Sequence, residues 1–159
     1  MPQYLRQALK NGMPIIDFGT AFYNGHTIKS DVFKRLFWEV NPGKIPLEAK
    51  RMWNGSEYSP FYVPLQEIVL FDGYAGGLLG HRSTILRSPE KHELPGLCFG
   101  KRGEYLDVQI LPEGFVLTNE GFGGPSEKGA KAWFILGLLN SLPVQTGINF
   151  YCGQHKGVG

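Results

Sequence analysis

Glycine and proline interrupt this chain too often for long regular elements. With 22 Gly and 11 Pro among 159 residues, a breaker of helix or ladder falls roughly every five positions. Glycine weakens element interiors by its entropy, and proline removes a donor. The expectation is short strands, many turns and few long helices. Disorder is not expected, because 42% of the residues are hydrophobic and a chain of this length buries roughly 70% of its unfolded surface. That is one core without help from disulfides or metal. We read a single domain over residues 1–159, with 153–159 as a flexible tail.

Periodicity places the elements. Residues 2–11 read as a short helix with Leu5, Ala8 and Leu9 on one face, and 14–18 as extended. Residues 21–28 carry the clearest hairpin signal: Asn24-Gly25 fits the two positive-φ positions of a type I′ turn. Ser30 then reads as the cap of a helix whose stripe is Val32, Phe33, Leu36, Phe37 and Val40, ended by Asn41-Pro42-Gly43. Pro46 opens a second short helix through Trp53.

From residue 56 the pattern is β. Residues 58–64 read as an extended connection, 67–71 as a strand, 72–77 as a glycine-rich loop, 78–86 as extended and 87–96 as a polar loop. In 104–111, Leu106, Val108 and Ile110 alternate with Tyr105, Asp107 and Gln109. Pro112-Glu113-Gly114 turns that strand into 115–118 as a second hairpin. Gly121-Phe-Gly-Gly-Pro-Ser126 reads as a loop feeding a helix over 126–142, with Ser126 as N-cap. Its expected buried face is Ala130, Trp133, Phe134, Gly137, Leu138 and Leu142. Residues 147–152 read as a last strand. The sum is an α+β fold: a mostly antiparallel sheet, short N-terminal helices and one packed C-terminal helix.

Charge narrows the partners. Sixteen basic and fourteen acidic side chains give +2, which offers no general case for a nucleic-acid binder, although a basic face can still meet a phosphate backbone. The basic excess lies in residues 1–53, with eight basic against four acidic groups. No stretch has the length and hydropathy of a membrane span or the h-region of a signal peptide. A cytoplasmic protein without membrane attachment is expected.

Two glycine clusters invite comparison with anion sites. Residues 72–84 bring Arg82, Ser83 and Thr84 beside flexible backbone, and residues 121–131 place Ser126 and Lys128 at a helix start. The phosphate-loop pattern is incomplete, since Ala130 follows Gly129 where lysine is required and Glu127 opposes an anion. A bulged strand and a tight turn explain the same glycines. Cys98 has His81 or His92 as conceivable bases, but apolar neighbours suit an inert buried thiol. Cys152-x-x-His155 is half of a zinc-ligand pattern, so no metal or cofactor is expected. His26 reads as a solvated or cross-strand histidine.

No catalytic motif is legible. The aromatics Trp38, Trp53, Tyr58, Phe61, Tyr62 and Tyr74 cluster near the helix-to-sheet transition among arginines, a composition typical of protein interfaces. The expected function is therefore a non-catalytic protein-interaction module, in a larger assembly or as an inhibitor of another protein. Its contact set is Arg35, Trp38, Arg51, Trp53 and Tyr62. The alternative is a small enzyme or binder of a phosphorylated ligand, using Arg82, Ser83, Thr84, Ser126 and Lys128.

Overall fold

A computed structural model of the chain describes residues 3–12, 22–55, 61, 66–70, 81–103, 105–125 and 130–152. The readings of 14–18, 72–80 and 153–159, and of 58–64 apart from Phe61, lie outside these residues. The fold is α+β, as the periodicity implies. Helix α1 spans Gln3–Asn11 and α2 only Ser30–Phe33. The strands are β1 (Tyr23–Asn24), β2 (Lys34–Leu36), β3 (Ala49–Trp53), β4 (Glu67–Leu70), β5 (Gly96–Gly100), β6 (Gln109–Leu111), β7 (Phe115–Leu117) and β8 (Gly121–Pro125). Two C-terminal helices follow, α3 (Ala130–Leu139) and α4 (Leu142–Cys152).

The strands form two four-stranded sheets, ordered β1-β8-β5-β6 and β2-β4-β3-β7. All pairings are antiparallel except β3 with β7, where Arg51 pairs with Phe115 and Trp53 with Leu117. The sheets face each other across Tyr23, Trp53, Cys98, Leu111, Phe115 and Leu117. The other face of the first sheet carries α3, through Leu97, Leu106, Val108, Ile135 and Leu136. The second sheet is completed by Phe33, Met52, Val69 and Val116 in one cluster and by Val40, Ala49 and Ile68 in another.

Several local expectations give way to this arrangement. The 30–40 helix is cut to one turn, because Lys34–Leu36 pairs with β4 instead. Isolated helices of such length are marginal, and tertiary pairing decides between helix and strand. The helix read from Pro46 to Trp53 is β3, a central strand that buries Ala49, Met52 and Trp53. Asn24-Gly25 makes no hairpin turn. Tyr23 and Asn24 pair with Gly123 and Phe122, and His26 bridges Thr118. Pro112-Glu113-Gly114 does turn the chain, but β6 and β7 enter different sheets, so no second hairpin forms. In 81–86 the chain turns at Arg82-Ser83 and only Ile85 bridges, to Thr27.

The glycine run Gly121–Pro125 is a strand between β1 and β5, not a loop. Phe122 stacks on Phe99. A Cβ at Gly121 would sit 2.0 Å from Trp53 Cζ3. The missing side chain lets the indole lie directly on β8 backbone, a close approach only glycine permits.

The C-terminal region departs most. The single helix read over 126–142 ends at Leu139, and the strand read over 147–152 belongs to α4. The bend between the helices carries a polar clamp. Gln145 Oε1 accepts from the Leu106 N–H at 2.8 Å, and its Nε2 donates to the carbonyls of Leu106 and Leu139. Asn140 treats Val108 alike, accepting from its N–H at 3.0 Å and donating to its carbonyl at 2.8 Å. Residues 106–108 therefore pair with side-chain amides where the sequence alternation suggests a ladder. A buried polar group left without its partner costs 1–3 kcal/mol. Gln145→Ala is expected to lower unfolding free energy by about 3 kcal/mol, measured by urea denaturation, and Gln145→Glu to give no rescue because the carboxylate lacks the donor. A loss below about 1 kcal/mol would show that the clamp is dispensable.

Candidate interaction surface

The segment after α2 is built to hold aromatic side chains outward. Phe37 N–H donates to the Gln66 carbonyl at 2.9 Å, continuing the β2–β4 ladder. The turn Phe37–Glu39 is closed by Glu39 Oε2, which accepts from the Leu36 N–H at 2.7 Å. Val40 then dips into the core. The result leaves Phe37 54% and Trp38 60% exposed, locked edge-to-face with centroids 4.9 Å apart. The next turn, Pro42–Lys44, is fixed by Asn41 Oδ1 accepting from the Gly43 N–H.

Beside this pair lies a cleft of about 390 Å³ with Val32, Phe33, Val40 and Leu70 as apolar lining and Arg35 and Lys44 among its polar groups. Glu39 and Asn41 also contribute. Arg35 Nη1 donates to the Lys34 carbonyl at 2.6 Å, Lys34 pairs with Glu67, and Lys44 pairs with Glu48 at 2.8 Å. Of the five residues read from the sequence as a contact set, Arg35 lines the cleft and Trp38 stands exposed next to it. Arg51 is exposed on β3, its guanidinium 5.9 Å from the Phe115 ring centre. Arg35 and Arg51 both register opposite Ile68, one from each side of β4. Trp53 corrects the reading: it is 2% exposed between the sheets, and its Nε1 donates to Gln109 Oε1. As the last residue of a central strand it has no surface to offer. Tyr62 lies outside the described residues.

The anion-site residues are only partly described. Arg82 and Ser83 are exposed in a turn, with Ser83 Oγ 2.7 Å from His81 Nδ1 and the Thr84 N–H donating to the His81 carbonyl. Thr84 Oγ1 is buried without a hydrogen-bond partner. Ser126 and Lys128 lie outside the described residues. The Gly121–Pro125 backbone is committed to ladders with β1 and β5, which removes the free N–H groups an anion cradle needs.

Two features were missed by sequence reasoning. The first is a buried pair of stacked histidines. His26 and His92 rings lie 3.6 Å apart and 20° from parallel, and both residues are buried, at 2% and 6% exposure. The Arg87 N–H donates to His26 Nδ1, the Leu117 N–H donates to His92 Nδ1, and His92 Nε2–H donates to the Arg87 carbonyl. Those backbone donors fix neutral tautomers. Burial, aided by His92 and the Arg87 charge, pushes His26 down to about 3. Burial also lowers His92, against raising contributions from the Arg87 hydrogen bond and from Glu90 and Glu93. His26 is thus not solvated as its place after Asn-Gly suggests. Tyr23 packs edge-on against His92 and donates its hydroxyl proton to the Lys91 carbonyl, and burial raises it to about 12.

The second is the outward face of α3. Trp133, Phe134, Leu138 and Leu142, read from periodicity as core, are exposed, while Ala132, Ile135 and Leu136 face the sheet. The helix is apolar nearly all round, so spacing cannot tell its two faces apart.

Cys98 is fully buried, and burial with the nearby Asp107 charge raises its thiol well above the ordinary range, which withholds the thiolate a nucleophile needs. Among the described residues no group of three or more His, Cys, Asp or Glu side chains is placed to hold a metal ion. No helix among them is long and apolar enough to cross a membrane. Neither a protein-family model nor a curated protein matches this chain.

Proposed function

We propose that this protein is a non-catalytic interaction module that docks another protein on the Phe37–Trp38 ridge and the adjoining cleft. The supporting observation is the exposed edge-to-face pair of Phe37 and Trp38 beside a cleft bearing Arg35. Aromatic and arginine side chains dominate interface hot spots: an aromatic ring removes large area from water with only two torsions to freeze, and the planar guanidinium pairs with carboxylates in a fixed fork. The cleft suits one apolar side chain of the partner, and Arg35 suits a carboxylate next to it. The partner is therefore a protein segment with an apolar anchor flanked by acidic residues.

Trp38→Ala is expected to weaken capture of such a partner at least 30-fold, corresponding to a hot spot of about 2 kcal/mol, while leaving the thermal midpoint within about 2 °C because the side chain is exposed. Arg35→Ala should weaken it about tenfold and reduce its sensitivity to salt. The measurement compares affinity capture and titration for wild type and both variants. Binding that both variants preserve refutes the reading.

The buried, unpartnered Thr84 Oγ1 next to exposed Arg82 and Ser83 favours a second reading, a phosphorylated small-molecule binder. A thermal midpoint raised by phosphorylated compounds and no longer raised in Arg82→Ala would establish it in place of the first.

A further inference from the structure

We propose that the outward face of α3, with Leu142 at the start of α4, is a contact between two copies of this chain. This surface is separate from the Phe37–Trp38 ridge. Trp133 is 62%, Phe134 57%, Leu138 42% and Leu142 79% exposed. Lys131 is the one charged residue in 130–152. A soluble helix normally turns charged side chains outward. Here four large apolar side chains leave roughly 500 Å² in water, on the scale of 150–250 Å² for a large aromatic. Bringing two such faces together removes about 1,000 Å², the least that a biological interface buries and the size of a dimer that dissociates on dilution.

Gly137 supplies an independent observation. It lies exposed within α3, and a Cβ built there meets nothing within 4 Å. Glycine inside a helix costs about 1 kcal/mol relative to alanine, and no contact within the described chain requires it. Its φ is also helical, so no turn requires it. What the missing side chain provides is close approach from outside, between Trp133 and Phe134 one turn earlier and Leu138 beside it. An antiparallel pairing of two α3 helices centred on Gly137 sets glycine against glycine, so the backbones approach closely and Trp133 of each copy lies toward Leu138 and Leu142 of the other, as a two-fold interface demands.

Charge selects a second copy over another occupant. Lys131 lies six residues from Gly137, about 9 Å along the axis. In the antiparallel arrangement the two lysines stand about 18 Å apart along that axis, beyond the screening length of about 8 Å at physiological salt. Among the described residues the face therefore carries Lys131 as its one charge and meets its own image without repulsion.

Sedimentation equilibrium of the full chain from about 1 to 200 µM tests the proposal, a range that spans ordinary homodimer affinities. The expected mass is twice 17.7 kDa, with dissociation on dilution. Gly137→Leu is expected to weaken the dimer at least tenfold while leaving the monomer at least as stable to urea, because leucine favours helix over glycine. Trp133→Glu is expected to weaken it further, and Trp38→Ala to leave the mass unchanged, so this interface and the ridge fail or stand independently. A wild type that stays at 17.7 kDa throughout overturns the proposal. So does a dimer that survives both α3 substitutions, or a monomer that uses this face to hold a different protein.

Discussion

Gly25→Ala is expected to abolish cooperative folding at room temperature. A Cβ at that position would lie 2.0 Å from the Thr118 carbonyl oxygen, 2.4 Å from its carbon and 2.6 Å from the Leu117 carbonyl carbon. All three atoms are backbone, so no rotamer change relieves the clash. The backbone around it is fully engaged. Gly25 N–H donates to the Gly121 carbonyl, His26 N–H to the Leu117 carbonyl at 2.8 Å, and Asn119 N–H to the His26 carbonyl at 2.7 Å. Shifting any of these strands breaks that set. We expect a loss of more than about 4 kcal/mol, a large share of the 5–15 kcal/mol that holds a typical domain. Near-UV circular dichroism and urea denaturation would show it. A Gly25→Ala protein with a wild-type transition contradicts the close approach of residues 25 and 118.

The histidine stack makes the protein acid-labile. An unfolded histidine takes up its proton near pH 6.5, whereas His26 in the fold does so only near about 3. Between those values the unfolded state holds a proton that the folded state lacks. Stability is therefore fully present above about pH 6.5 and falls as the solution is acidified. The slope from His26 alone is about 1.4 kcal/mol per pH unit, and His92, also lowered, adds to it. Over the whole window His26 accounts for about 5 kcal/mol, comparable to the stability of a modest domain. Urea midpoints are expected to drop steadily between pH 6.5 and 4.5, where His26 alone removes about 3 kcal/mol of stability. A flat profile from pH 7 to 5 would falsify the neutral stacked pair.

How far the fold was legible depends on whether local and long-range preferences agreed. β4 and the turn at Pro112–Gly114 follow from their own residues, because the adjacent β-branched pair Ile68-Val69 and the turn chemistry coincide with the final pairing. The segment after Ser30 does not. Its stripe of Val32, Phe33, Leu36, Phe37 and Val40 satisfies helical spacing, yet Lys34–Leu36 gains more by pairing with β4. The same competition turned Ala49–Trp53 into a central strand. Gly121–Pro125 looked like a loop because glycine is a poor strand former. Its role emerges only with the position of Trp53, some seventy residues earlier.

The candidate surface was half legible. Trp38, three residues after Arg35, is exposed, but Trp53, two residues after Arg51, is core. Composition marks which side chains suit an interface, while strand order decides which of them reach it. The outward face of α3 was illegible for the opposite reason. Its residues are so uniformly apolar that neither face stands out, and only the sheet chooses Ile135 and Leu136 over Trp133 and Phe134.

The strand pairings also set how this polypeptide must assemble as it leaves the ribosome. Tyr23 waits for Gly123, and Arg51 for Phe115, so each sheet receives a strand from the last third of the chain. Closing loops of that span is entropically slow, and proteins dominated by such distant contacts fold in milliseconds to seconds. Until residues 115–117 emerge, the edge of β3 that β7 will occupy has no cover, and a growing chain is most exposed there to capture by chaperones or by its neighbours.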